Sequence, residues 1–279
     1  MNKTIDISSL LRSLLKDLDK HISAFEKKKG RGSLHHFRVS GKETLTLLRF
    51  LRENKRSKGL RDFERDLKRF FKKAGELREA QLHLKWLHRH RKPGVIKHSR
   101  LENITGKLTR KIIKEIPELK KSIDRTGKKQ SDKLSAFPTK DVRAYQEAIM
   151  RDLLISLDAG ILPGRWHAAR KNIKSIQHIG GWPLAFQARG QVHDRLVNQL
   201  DEFQSHVGYW HDIGETIAWI SAQKTKSMGH ASLQQECEGA LIRLEKEYVE
   251  SYEFVQAKLK LLTNTAKVLL KRDVRKILD

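Results

Sequence analysis

One cysteine, Cys237, stands in a chain of 279 residues, which excludes an internal disulfide framework and accords with a reducing compartment. Long apolar runs are missing as well. No stretch approaches the ~18 uncharged apolar residues of a membrane span. From Met1 to Leu18 the apolar run is broken by Arg12, Lys16 and Asp17, so this segment lacks the unbroken core of a signal peptide. A soluble cytoplasmic protein is the expectation, with no membrane contact.

The chain also lacks the usual marks of a metal or nucleotide enzyme. Gly41-Lys42-Glu43-Thr44 faintly resembles the end of a phosphate-binding loop, but His36 stands where that loop needs glycine. His83, His88 and His90 have neither an H-E-x-x-H frame nor a cysteine pair beside them. They read as a basic helix face continuing to Arg89, Arg91 and Lys92. No metal or cofactor is expected.

Acidic residues are the minority. Against 58 Lys and Arg there are 33 Asp and Glu, a formal charge of +25, far beyond what solubility asks. The natural partner is a polyanion. Nucleic acid, an anionic membrane surface and inorganic polyphosphate all satisfy the charge alone, and a basic scaffold without a defined site satisfies it too.

What is present is helical spacing almost throughout. Leu10, Leu11, Leu14, Leu15, Leu18, Ile22 and Phe25 form one apolar stripe, and Gly30 and Gly32 are expected to end that helix. A second helix is predicted from about Leu34 to Glu53. A third starts after Gly59, and a fourth follows Gly75 and stops before Pro93-Gly94. Another runs from about Lys97 to Ile116, with Pro117 as its limit. The polar segment Asp124 to Pro138 reads as a linker. Beyond it the plan repeats, with helices carrying Val142 to Leu157, a stretch closed by Gly180-Gly181-Trp182-Pro183, and long helices after Leu184 and Leu233. Period-two alternation is absent, so the expected class is all-α. One domain, 1–279, divides into a first helical half, 1–126, and a second, 138–279.

The repeat is sharpest in two motifs. His35-x-x-Arg38-x-x-x-Lys42 recurs as His167-x-x-Arg170-x-x-x-Lys174, and Gly75-x-x-Arg78-Glu79 recurs as Gly208-x-x-His211-Asp212. The offsets, 167 − 35 = 132 and 208 − 75 = 133, agree to one residue. At roughly 100° per residue, His35, Arg38, Lys42 and Arg49 share one narrow helix face, as do His167, Arg170, Lys174 and His178. Like charges so spaced repel by a few tenths of a kcal/mol per pair, which solvent screens or a ligand offsets. Glu79 and Asp212 are candidate orienting carboxylates. Trp86, Trp210 and Trp219 lie near apolar neighbours and read as core.

These paired motifs resemble the CHAD family, the conserved histidine α-helical domain, over essentially the whole chain. The resemblance implies two pseudo-symmetric four-helix bundles whose basic residues line a central cleft, bind inorganic polyphosphate and perform no catalysis. Glu43, Thr44 and Leu45 stand where the family pattern leads one to expect further arginines, and Lys171, Gln177 and His178 depart from it in the second half. The ligand contacts so implied are His35, Arg38, Lys42, Arg49, Arg78, His167, Arg170, Lys174, His178 and His211. A further row, Arg100, Lys107, Lys111 and Lys114, follows from the same helical geometry. The triphosphate tunnel domain that some members carry, with its E-x-E-x-K signature, has no counterpart here. A sequence-nonspecific nucleic-acid binder is the other reading, although no recognisable nucleic-acid motif accompanies the charge.

Overall fold

A computed structural model of the chain describes residues 4–54, 59–89, 98–129, 134, 137–158, 165–180, 191–226 and 231–270. Among these, helices dominate: α1 Ile7–Lys28, α2 Arg31–Glu53, α3 Arg61–Arg89, α4 His98–Lys129, α5 Thr139–Asp158, α6 Trp166–Gly180, α7 Gln191–Lys226 and α8 Ala231–Leu270. The protein is all-α. Its one extended feature among the described residues is a two-residue antiparallel pairing of β1, Thr4–Ile5, with β2, Phe137–Pro138.

By packing, the chain forms two compact units. The first takes Met1–Arg78, Thr105–Met150 and Ser175–Ala188; the second takes Glu79–Ile104, Arg151–Lys174 and Arg189–Asp279. Division by packing therefore differs from division by the sequence repeat, because each unit draws helices from both sides of β2.

In the first unit the stripe of α1 is buried as its spacing demands, with Ile7, Leu11, Leu18, Ile22 and Phe25 inaccessible. It packs on α2, whose Leu34, Phe37, Leu47, Phe50 and Leu51 are equally buried. Each such side chain contributes roughly 1.5–3 kcal/mol of transfer free energy. Asp6 caps α1 by accepting from Ser9 N–H. The helix ends on Lys29, left-handed at φ 52°, so neither glycine performs that turn and Gly32 belongs to α2. Phe37 meets Phe70 edge to face at 5.3 Å, and Phe50 touches both Phe137 and Tyr145.

The second unit centres on Trp86, Leu101, Ile213, Ile220, Cys237, Ala240 and Leu244. Trp166 is 1% exposed and lies 4.9 Å from Trp210 and 5.4 Å from Tyr252. The described tryptophans thus serve packing. Trp182 lies outside the described residues. Burial pushes the Cys237 thiol up, away from its reactive form.

Three expected breaks are absent. Gly75 lies inside α3, which continues from Arg61 to Arg89. Pro117 lies inside α4. The expected linker from Asp124 to Pro138 is corrected likewise, since the chain from Asp124 onward stays helical to Lys129. The cause is packing: Ile112, Ile116, Leu119 and Ile123 are all buried on one face across the proline. That burial outweighs the roughly 3 kcal/mol penalty of an interior proline.

Candidate functional site

On α2 the first stripe falls where its spacing places it. His35 and Arg49 are exposed, and Arg38 and Lys42 half-buried. His35 is held below its usual value, first by partial desolvation and then by Arg78, His36, Lys42 and Arg38, each opposing its charge. The structure therefore brings His35, Arg38, Lys42 and Arg78 together in the first unit. Arg49 is occupied locally: its Nε donates to Glu53 at 2.8 Å, which raises its pKa.

Arg38 does not simply hang in solvent. Its Nη1 reaches the Phe71 carbonyl at 3.4 Å, and its Cζ stands 4.5 Å from the centre of the Phe71 ring. A side chain on Gly75 would place its Cβ 3.4 Å from that Nη1.

The second unit repeats this arrangement. Arg170 on α6 donates from Nε to the Gln204 carbonyl at 3.2 Å, and a Cβ on Gly208 would lie 2.8 Å from Nη2 and 3.0 Å from Nε. In both cases the accepting carbonyl belongs to the residue four before the glycine, since 75 − 71 = 208 − 204 = 4. The physical reason is helical geometry. The carbonyl of residue i − 4 points at the N–H of residue i, and its second lone pair is most open to a bulky donor from another helix where residue i has no Cβ. A mid-helix glycine costs about 1 kcal/mol relative to alanine, and here it gives the guanidinium its place.

The surroundings of the two arginines differ. Burial lowers the pKa of Arg170 while Asp212 opposes that shift, so Asp212 acts on the arginine of its own repeat. Burial likewise lowers Lys174, against the attraction of Asp201. Gln204, 4% exposed, donates to Asp201 Oδ1 at 3.0 Å while its own carbonyl accepts Arg170. Glu79, the counterpart of Asp212, lies 3.7 Å from His83 Nε2. His83 is buried against Trp219, 3.3 Å from Thr216 Oγ1, and burial pushes its pKa down to about 4.

The remaining candidates spread out. His178 follows Lys174 by one turn of α6 and is grouped by packing with the first unit. Its Nδ1 lies 3.7 Å from Glu43, and its ring is largely enclosed. His211 is partly exposed, 4.0 Å from Glu215. Lys107, Lys111 and Lys114 form an exposed row on α4; Lys114 also lines a groove of about 370 Å³ with Arg69, Lys73 and Arg125. His167 and Arg100 sit on α6 and α4, and their side chains lie outside the described residues. Sequence reasoning missed Asp201, Gln204 and Phe71. Their signal was available only through the glycines, because two of the three mark the residue one turn before a repeated Gly.

No family model matches the chain, and no curated protein matches it in sequence. A solved structure does. The crystal structure of the CHAD domain from the plant Ricinus communis superposes with a TM-score of 0.66, covering 93% of each chain at 13% identity. The fold is that of a CHAD domain. In this CHAD-like chain the paired H-x-x-R-x-x-x-K and G-x-x-[R/H]-[D/E] motifs are the parts that meet, an arginine of the first resting on the glycine of the second. No helix among the described residues is long and apolar enough to cross a membrane.

Proposed function

We propose that the protein binds inorganic polyphosphate without catalysis, through the basic faces of α2 and α6. The observation that carries this reading is the crowding of His35 by Arg78, Lys42 and Arg38. A polyanion entering such a cluster meets several cationic groups at once, and each phosphate it places there releases condensed counterions. Arginine grips phosphate oxygens bidentately, lysine acts as a point charge, and a nearby phosphate favours protonated histidine. The CHAD-like fold supports the same ligand class. Polyphosphate offers one charge per phosphate with no bases to accommodate, which suits a surface whose described tryptophans are committed to packing. The cytoplasm, at polyphosphate granules, is the setting this ligand implies.

Competition of labelled long-chain polyphosphate against duplex DNA and RNA at fixed salt tests the reading. Displacement at far lower concentrations by polyphosphate than by either nucleic acid is expected. Equal displacement on a phosphate basis would favour a nonspecific nucleic-acid binder. Incubation with Mg²⁺ or Mn²⁺ should release no phosphate; metal-dependent turnover lost on Glu79→Ala or Asp212→Ala would make the protein an enzyme.

A further inference from the structure

We infer that Gly208 and, more weakly, Gly75 are positioning residues of the anion site: Gly208 leaves vacant the place on its helix where the guanidinium of Arg170 lies, and Gly75 lets that of Arg38 rest against its helix. The inference rests on the polyphosphate reading and adds to it the residues that aim the arginines.

Three observations converge. First, both glycines sit inside long helices, α3 and α7, where helix propensity favours almost any other residue. Second, an arginine from the other motif of the same repeat lies against each glycine, closer than a Cβ tolerates at Gly208 and at ordinary contact distance at Gly75. At Gly208 a Cβ would lie 2.8, 3.0 and 3.2 Å from Nη2, Nε and Cζ of Arg170; at Gly75 it would lie 3.4 Å from Nη1 of Arg38. Third, both arginines donate to the carbonyl one turn before the glycine, Phe71 in one case and Gln204 in the other. An accident of packing would not be expected at equivalent positions of both repeats.

The consequence is preorganisation. A guanidinium fixed by one edge to a helix backbone has its plane and height set before a ligand arrives, so less rotamer freedom is lost when phosphate binds. At Gly208 the atoms a methyl group would strike include Nε and Cζ, the stem of the planar fork. To make room the guanidinium must shift as a plane, which lengthens its bond to the Gln204 carbonyl. At Gly75 only the outer Nη1 is approached, and a small rotation relieves it. The two positions should therefore differ in sensitivity.

The test measures affinity for inorganic triphosphate and for long-chain polyphosphate across a range of salt, together with Tm, in Gly208→Ala, Arg170→Ala, the double variant, Gly75→Ala, Arg38→Ala and Gly106→Ala. Gly208→Ala should weaken long-chain binding about tenfold, as loss of a well-placed charged hydrogen-bond donor does. It should also lessen the salt slope, and Arg170→Ala should match it. The double variant should lose nothing further, because both changes remove one interaction. Its Tm should exceed that of Arg170→Ala, since with the place vacant alanine is simply the better helix former. Gly75→Ala should show a smaller loss of the same kind. Gly106→Ala, with nothing within 4 Å of its added methyl, should bind as wild type. Wild-type binding by Gly208→Ala beside a weakened Arg170→Ala overturns the inference alone, as do losses that add in the double variant. Wild-type binding by both Arg38→Ala and Arg170→Ala overturns the polyphosphate reading of these faces and the inference with it.

Discussion

His178 Nδ1 and Glu43 Oε1 stand 3.7 Å apart, joining α6 to α2 within the first unit. Both residues belong to the two basic helices, one beside Lys42 and the other one turn after Lys174. Glu43 sets a carboxylate next to Lys42, and a histidine enclosed to 11% exposure faces it. Glu43→Gln should therefore raise polyphosphate affinity about threefold, equivalent to ~0.7 kcal/mol for one partly exposed charge. An unchanged dissociation constant and salt slope would show that Glu43 does not sense the ligand.

The two basic faces should both contribute to long ligands. Arg38→Ala with Lys42→Ala, and Arg170→Ala with Lys174→Ala, should each weaken long-chain binding and reduce the salt slope by about one to two units. Lys128→Ala with Lys129→Ala, exposed at the end of α4, should do much less. Titrations across salt decide this, and an equal effect of the Lys128 and Lys129 pair would reduce the binding to diffuse attraction.

Binding should take up protons. His35 lies below its usual value near 6.5 in the free protein because it is partly desolvated and its neighbours are cationic, and a bound phosphate reverses that field. Affinity should accordingly rise as pH falls from about 7 to about 5. His35→Asn should flatten part of that slope in the same titration.

Stability should move the opposite way with acid. His83 has a folded pKa of about 4, below the 6.5 of the unfolded chain. The stability that neutral His83 contributes is fully present above about pH 6.5 and is lost progressively down to pH 4, by up to about 3 kcal/mol. Denaturant melts at several pH values should show this loss in the wild type. They should show much less of it in His83→Gln, which has no charge to bury.

Much of the architecture was legible because apolar spacing and burial share one cause. The stripe Leu11, Leu18, Ile22, Phe25 could not be anything but a helix face, and it is inaccessible in the fold. The basic motifs were legible through recurrence. What could not be read were the breaks: Gly75 and Pro117 carry strong local signals against helix, yet tertiary packing overrides both. In α4 the override is the apolar face spanning Ile112 to Ile123; in α3 it is the buried face of Leu67, Phe70, Ala74 and Leu77 on either side of the glycine. Asp201 and Gln204 escaped for a related reason, since they meet Arg170 and Lys174 only through the approach of α7 to α6.

The interleaving of the two units bears on how the chain comes to be folded as it is made. The first unit needs Met1–Arg78, but also α4 from Thr105, the β2 pairing with Thr4–Ile5, and the end of α6 from Ser175. Its amino-terminal helices are therefore exposed long before their last neighbours leave the ribosome. Elongation at roughly 5–20 residues per second leaves the apolar face of α1 waiting for several seconds. During that interval α1 and α2, which pack on each other directly, are the early pair able to cover it. Pairing of these two helices covers part of that apolar face before the later segments of the unit are made.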